Sequence, residues 1–144
     1  MAIDETARIE NTELAEVEIR EYVTIHDSTV GEDSQIYERT SIKKSTVGDS
    51  VDINANSYVE NAAIGDRVQI GPNASVVGVT HDLTEEGMEH RNDQFETIVI
   101  EKGAFLGAGA VVLPGVEIGT NAVVGANVTV TDDIPANTVY RGAE

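Results

Sequence analysis

Aliphatic residues recur every five or six positions along most of this chain, and this repeat constrains the fold more than any other feature. Three successive steps close a unit of 17 residues in the first half of the chain, and after a gap the steps are all of six. The repeat occupies Ile19, Ile25, Val30, Ile36, Ile42, Val47, Ile53, Val59, Ile64, Ile70, Val76, Ile100, Leu106, Val112, Ile118, Val124 and Val130. Ile, Leu and Val are 36 of the 144 residues, yet they fill every one of these 17 positions.

A step of five or six residues is too short for a helix but suits a short strand followed by a sharp turn. Four residues after each aliphatic position stands a small or β-branched residue, as at Ser34 and Ala110. Glycine often follows the aliphatic residue, where we expect turns that resist a Cβ atom. Three strands and three turns make one triangular coil, and stacked coils bury the aliphatic columns in one core. The repeat therefore predicts an all-β solenoid; a β-sandwich would need longer strands and hairpin signals such as Asn-Gly, which are absent.

Length and charge narrow the possible functions. A chain of 144 residues fits one domain, which we expect to span 1–144, with 1–14 as a cap or tail and 131–144 as a C-terminal cap. The net charge of −17 opposes binding to nucleic acids or anionic membranes. The absence of Cys excludes a disulfide framework and a thiolate nucleophile. The chain begins without the pattern of a signal peptide, and we expect a cytoplasmic protein.

The repeat lapses where the frame calls for an aliphatic residue at position 81, which is instead His81. The polar stretch that follows is too long for a turn, so we predict an inserted loop at about 81–97. Long loops on a regular scaffold are disproportionately functional. A neutral imidazole is suited to general-base catalysis near pH 7, and a backbone N–H at a Gly-rich turn can stabilise an oxyanion.

The C-terminal half resembles the hexapeptide-repeat acyltransferases, whose left-handed parallel β-helix is built from similar units. The resemblance rests on 100–119, with Gly-Ala-Gly-Ala and Leu-Pro-Gly, on 124–135, which ends in Asp-Ile-Pro, and on 138–142. Thr80-His81-Asp82 is similar to the family's element at the start of the active-site loop. The resemblance implies a left-handed β-helix, acetyl-CoA as acyl donor, no metal, and a homotrimer with sites between subunits. The layout is closest to the branch that acylates a hydroxyl or amine of sugars or nucleotide-linked sugars.

Carried over residue by residue, the resemblance implies that His81 is the general base and that the N–H of Ala108 is the oxyanion donor. It implies that the cofactor lies along Phe105, Ala108, Ala126, Thr131 and Arg141. Asp93 and Glu85 are candidates for binding the acceptor, and either of them is a candidate for orienting His81. The chain departs from the family at Asp132, where a lysine is common.

Two other functions stay open from the sequence. A non-catalytic trimeric scaffold would bind no acetyl-CoA. A metalloenzyme like the carbonic anhydrases of this fold would need three histidines around zinc. The chain has only His26, His81 and His90, and His26 lies about three coils from His81, some 15 Å at about 4.8 Å per coil.

Overall fold

Three parallel sheets run the length of the molecule because each coil contributes one short strand to each sheet. The computed structural model describes residues 1–142 and is entirely β, with strands numbered here β1 to β25 in chain order. Face A comprises β1 (Ala2–Ile3), β4 (Glu18–Ile19), β7 (Gln35–Ile36), β10 (Asp52–Ile53), β13 (Gln69–Ile70), β20 (Phe105–Leu106), β23 (Val123–Val124) and β25 (Val139–Tyr140). Face B comprises β2 (Arg8–Glu10), β5 (Thr24–His26), β8 (Ser41–Lys43), β11 (Tyr58–Glu60), β14 (Ser75–Val77), β21 (Val111–Val112) and β24 (Thr129–Val130).

Face C completes the triangle with β3 (Glu13–Leu14), β6 (Thr29–Val30), β9 (Thr46–Val47), β12 (Ala62–Ile64), β19 (Ile98–Ile100) and β22 (Glu117–Ile118). The chain runs from face A to face B to face C and back, so each coil has three corners, named here AB, BC and CA. The predicted parallel β-helix is confirmed, with about eight coils. Residues 2–14 form the first of these coils.

The register of the strands repeats the period found in the sequence. Residue 35 pairs with 52 and 52 with 69, so the early coils contain 17 residues. Residue 105 pairs with 123 and 111 with 129, so the later coils contain 18. All 17 aliphatic positions are buried in one continuous core. Burying each such side chain stabilises the fold by about 1.5–3 kcal/mol before entropic costs.

The second column of small residues is predicted correctly where the step between the two flanking aliphatic positions has six residues, and wrongly where that step has five. Thr29 and Thr46 point to solvent, whereas Ser28 and Ser45 are buried in their place. A five-residue step removes one residue of the turn, so the inward position moves one residue earlier. The hydroxyls of these two serines are satisfied locally, since Ser28 donates to the carbonyl of His26 and Ser45 donates to the carbonyl of Lys43.

The glycines that follow the aliphatic positions serve close packing rather than an unusual backbone angle. A Cβ on Gly71 would lie 2.7 Å from the backbone nitrogen of Ala108 in the next coil. Positive φ is instead found at other turn positions, such as Asn73 and Gly109. The expectation that these glycines answer a demand on φ is therefore wrong at position 71, where close approach of neighbouring coils is the reason.

The inserted loop is longer than predicted at its start. The chain leaves the coil after Gly78 and re-enters it at Ile98, so the insertion, called the arm here, spans 79–97 rather than 81–97. Val79 and Thr80 also form a strand, but this strand pairs within the arm and not with a neighbouring coil. The arm consists of two antiparallel pairs: β15 (Val79–Thr80) with β18 (Gln94–Phe95), and β16 (Leu83–Thr84) with β17 (Gly87–Met88).

Candidate active site

The arm projects from the BC corner, since it follows β14 of face B and precedes β19 of face C. Its base is fixed to the coil above by three hydrogen bonds to Asn61. The side-chain amide of Asn61 donates to the carbonyl of Gly78, and its side-chain oxygen accepts from the hydroxyl of Thr97. The backbone carbonyl of Asn61 accepts from the N–H of Ile98. On its return the arm places the ring of Phe95 4.7 Å from the Lys44 ammonium. These contacts hold the arm against the N-terminal side of its corner.

His81 stands at the base of the arm, directly after β15, with its side chain 40% exposed. Its Nδ1 lies 3.3 Å from the carbonyl oxygen of Asn92, so this hydrogen bond requires the proton on Nδ1. The lone pair is then on Nε2, which is the arrangement of a general base. The Asp93 carboxylate lies 3.6 Å from Nδ1, close enough to stabilise the imidazolium that forms when Nε2 takes a proton.

The structure separates the two predicted acceptor residues. It brings Asp93 beside His81, directly before β18, the strand that returns from the arm tip. Glu85 lies in the turn between β16 and β17, and within residues 1–142 it makes no hydrogen bond or ion pair with another residue. Asp93 therefore has a contact with the predicted base that Glu85 lacks.

Ala108 lies at the AB corner, exposed to solvent after β20. Its N–H has no hydrogen-bond acceptor among residues 1–142. Gly71 stands directly above it, and only the absence of a Cβ there permits the approach. An unpartnered backbone N–H in a turn has the character of an oxyanion donor.

Ala126 and Arg141 continue the AB corner below Ala108. The N–H of Asn127 donates to the Ala108 carbonyl, and the N–H of Gly125 donates to the Tyr140 carbonyl, so these turns stack coil on coil. Phe105 lies on β20 of face A, three residues before Ala108, and is 41% exposed. The structure therefore groups four of the five predicted cofactor residues along one edge.

Thr131 does not join that group. It follows β24 on face B and lies at the BC corner, on the same edge as the arm, where its hydroxyl is 3.4 Å from an Asp132 carboxylate oxygen. Within one chain His81 and Ala108 also follow strands of different faces and occupy different corners. The resemblance grouped Thr131 with the other cofactor residues, and only the order of the strands shows that it lies at a different corner.

Sequence reasoning missed a polar cluster on face B near the arm. The hydroxyl of Tyr58 donates a hydrogen bond of 2.5 Å to Glu60, and the Lys43 ammonium is 5.6 Å from the centre of the Tyr58 ring. Burial, Glu60 and the nearby charge of Asp93 together raise the pKa of Tyr58 to about 12. The alternation of strand residues marks these side chains as outward-facing, but only the folded arm shows that Asp93 comes near them.

Three further observations concern metal binding and membrane spanning. In the part of the chain that the structure describes, no three His, Cys, Asp or Glu side chains converge on a point that could hold a metal ion. His26 lies on β5, three strands of face B away from β14 and the arm. No helix among residues 1–142 has the length and hydropathy needed to cross a membrane.

Comparison with known proteins gives sequence relatives that are acetyltransferases. A galactoside O-acetyltransferase of Lactococcus lactis is 45% identical over 64 residues, which are 44% of this chain and 29% of that protein. A 2,3,4,5-tetrahydropyridine-2,6-dicarboxylate N-acetyltransferase of Staphylococcus aureus is 47% identical over 45 residues, which are 31% of this chain and 19% of that protein. The matches thus span less than a third of either relative.

Solved structures share the fold. The N-acyltransferase AntD of Bacillus cereus, in complex with a dTDP-amino sugar and coenzyme A, has a TM-score of 0.77 at 18% identity, covering 88% of this chain and 76% of that one. PerB of Caulobacter crescentus, in complex with CoA and GDP-perosamine, has a TM-score of 0.64 at 24% identity, covering 94% and 51%. At these identities the likeness shows the fold alone.

Two family profiles match the chain itself. The profile described as GlmU-like, C-terminal hexapeptide matches residues 3–95, which is more than half of the chain. The profile described as hexapeptide repeat of succinyl-transferase matches residues 97–132. The arm thus falls at the end of the first match, and both matches follow the coils. The chain belongs to the hexapeptide-repeat family.

Proposed function

We propose that this protein is an acetyl-CoA-dependent acetyltransferase that transfers the acetyl group to a hydroxyl or amine of a sugar or nucleotide-sugar. The observation that carries the proposal is the His81 imidazole, which is exposed at the base of the arm and hydrogen-bonded through Nδ1 so that Nε2 is free to accept a proton. The acetyltransferase relatives support the reaction class, and because one is named for a galactoside and the other for a tetrahydropyridine dicarboxylate, they leave the acceptor to be identified.

In the proposed mechanism Nε2 of His81 takes the proton of the acceptor as its oxygen or nitrogen attacks the thioester carbonyl. The N–H of Ala108 donates to the oxyanion, and no covalent enzyme intermediate is needed. Asp93 stabilises the imidazolium, which then protonates the departing thiolate. Phe105, Ala126, Thr131 and Arg141 bind the coenzyme A portion, and Glu85 or Asp93 contacts the acceptor.

We also propose that the protein acts as a homotrimer. Ala108 and His81 occupy different corners of one chain, so a neighbouring subunit that presents its AB corner to the arm would complete the site. Three sites per trimer would then lie between subunits, as the family resemblance implies.

The His81→Ala variant tests the mechanism. Loss of the general base should lower turnover by about 10²–10⁴ while acetyl-CoA still binds. Turnover is measured as thiol release from acetyl-CoA in the presence of a panel of sugars and sugar nucleotides, and binding is measured by calorimetry.

His90→Ala is the matched control, because His90 is also an exposed histidine of the arm. It should keep the turnover of the original protein. Equal turnover in both variants would remove His81 from the mechanism, and absence of acetyl-CoA binding to the unmodified protein would refute the proposed activity itself.

A further inference from the structure

The cluster of Lys43, Tyr58 and Glu60 lies on strands β8 and β11 of face B. Strand β11 is the neighbour of β14, the strand that precedes the arm. All three side chains are half-buried and point outward, and the register places Lys43 directly opposite Glu60 across the strands. The Tyr58 hydroxyl donates to one oxygen of the Glu60 carboxylate. An aromatic ring, an ammonium and a carboxylate are thus held together on a rigid sheet.

The two opposite charges of this cluster do not form an ion pair with each other. Lys43 and Glu60 are direct neighbours, but no nitrogen–oxygen distance between them reaches the 4.0 Å of an ion pair in the described part of the chain. Glu60 bonds to Tyr58 instead, and the Lys43 ammonium lies 5.6 Å from the ring centre. The second carboxylate oxygen and the ammonium are therefore available to a ligand.

The arm connects this cluster to the proposed base. The N–H of Gly78, at the base of the arm, donates to the carbonyl of Glu60. On the returning side of the arm, the ring of Phe95 lies 4.7 Å from the ammonium of Lys44, the residue after Lys43. Asp93, two residues before Phe95, has its carboxylate 3.6 Å from His81 Nδ1, and its charge contributes to the raised pKa of Tyr58. The returning segment of the arm thus contacts the strands that carry the cluster and also holds the carboxylate beside the imidazole. A molecule bound on the cluster would reach towards the atom that removes the acceptor's proton.

Charge on the arm indicates which acceptor fits. Residues 79–97 contain six carboxylates and one arginine. Because this field repels phosphate groups held against the arm, it disfavours a nucleotide-linked sugar as the acceptor there, whereas the phosphates of coenzyme A would lie along the AB corner with Arg141. Sugar hydroxyls, by contrast, donate to carboxylates and accept from an ammonium, which are the groups present here.

We propose, on the basis of the function proposed above, that Lys43, Tyr58, Glu60 and Asp93 bind the ring of an unphosphorylated sugar as the acceptor. Glu60 and Asp93 accept hydrogen bonds from ring hydroxyls, and Lys43 donates to another ring oxygen. One hydroxyl oxygen forms the new bond to the acetyl carbon and the carbon–sulfur bond breaks. The hydroxyl proton passes to Nε2 of His81 and from there to the thiolate, which gives an acetyl ester and free coenzyme A.

Binding measurements on the intact protein test this assignment. The probes are the methyl glycosides of galactose, glucose and mannose, with uridine diphosphate galactose as the anionic comparison, all in the presence of saturating coenzyme A. At least one neutral glycoside should bind more tightly than the nucleotide. Glu60→Gln should weaken that glycoside about tenfold, the effect of losing a hydrogen bond to a charged group. Tyr58→Phe should weaken it in the same direction, because the Glu60 carboxylate loses the hydrogen bond that orients it.

Tyr37→Phe is the matched control. The Tyr37 hydroxyl donates to Gln35 at 2.9 Å on face A, which repeats the geometry of the Tyr58–Glu60 pair away from the arm. This variant should leave glycoside binding unchanged, and all three variants should bind coenzyme A normally. Alkaline titration at 295 nm reports the local structure, since Glu60→Gln should lower the Tyr58 pKa from about 12.

Three results would overturn the assignment: no neutral glycoside binds, the nucleotide sugar binds more tightly, or both cluster variants bind the glycoside as well as the original protein. Failure of the proposed function has a different signature, namely that coenzyme A and acetyl-CoA do not bind at all. Melting temperatures of the variants separate loss of binding from loss of fold.

Discussion

At the residue scale, the strongest link between fold and chemistry is the turn that contains Ala108. The equivalent residue one coil earlier is Pro72, whose carbonyl accepts a hydrogen bond from Gly109. The scaffold thus already contains a proline, which has no N–H, at this point of the AB corner. The unpartnered N–H of Ala108 is not required for the coil to form, which leaves it available to a ligand.

This equivalence gives a variant that removes one hydrogen-bond donor and little else. Ala108→Pro should fold with an unchanged melting temperature, because Pro72 occupies the same position in the neighbouring turn. Loss of the proposed oxyanion donor should lower kcat by about 10²–10³. The measurement is steady-state turnover of acetyl-CoA with the acceptor identified from the sugar panel.

Ala55→Pro is the control for that experiment, since Ala55 occupies the same turn one coil before Pro72, away from the proposed site. It should keep the original kcat. A folded Ala108→Pro enzyme with undiminished kcat would show that another group stabilises the oxyanion.

Residue-level prediction from the sequence succeeded where the repeat fixes the environment. Every aliphatic position is buried, because the same place in each repeat points its side chain into the core. It failed at Gly71, where the cause is contact with a coil 36 residues further along the chain, and at Tyr58, whose relation to Asp93 depends on the path of the arm. The sequence specifies local alternation, whereas these contacts depend on the stacking of coils.

At the scale of elements, the arm is an addition to a coil that is complete without it. Ala62 pairs with Ile98, 36 residues later, although neighbouring strands of the same region are 17 apart. Deleting 79–97 would join Gly78 to Ile98 and restore the 17-residue spacing. The expected start of the insertion at His81 was two residues late, because Val79 and Thr80 have the β-forming side chains of a coil strand.

The deletion of 79–97 should therefore give a folded solenoid without activity. Gly78 would take the position that Asn61 occupies in the coil above, where φ is +53°, and glycine adopts this angle readily. We expect β-type circular dichroism, a melting temperature within a few degrees of the original, and no detectable acetyl transfer. An unfolded or aggregated product would mean that the arm stabilises its coil or the contacts between subunits.

At the scale of the whole molecule, apolar side chains remain exposed on the C-terminal coils and on the arm. They include Phe105, Leu113 and Val139 on the coils, and Leu83 and Met88 at the arm hairpin. Exposed apolar groups on a prism with flat faces favour association with other copies. Association would also bring a base and an oxyanion donor together, because these two groups lie at different corners of one chain.

Mixing two inactive variants tests whether each site is shared between chains. His81→Ala has a defective arm and an intact AB corner, whereas Ala108→Pro has the reverse. If a site combines the arm of one chain with the corner of its neighbour, unfolding and refolding the two together in equal amounts should restore about a quarter of the original activity, since half of the arms and half of the corners are intact. Each variant refolded alone is the control, and sedimentation should give a mass near three times 15.3 kDa. A mixture no more active than its components would place both groups in one chain, which would contradict the shared site that the separation of His81 and Ala108 requires.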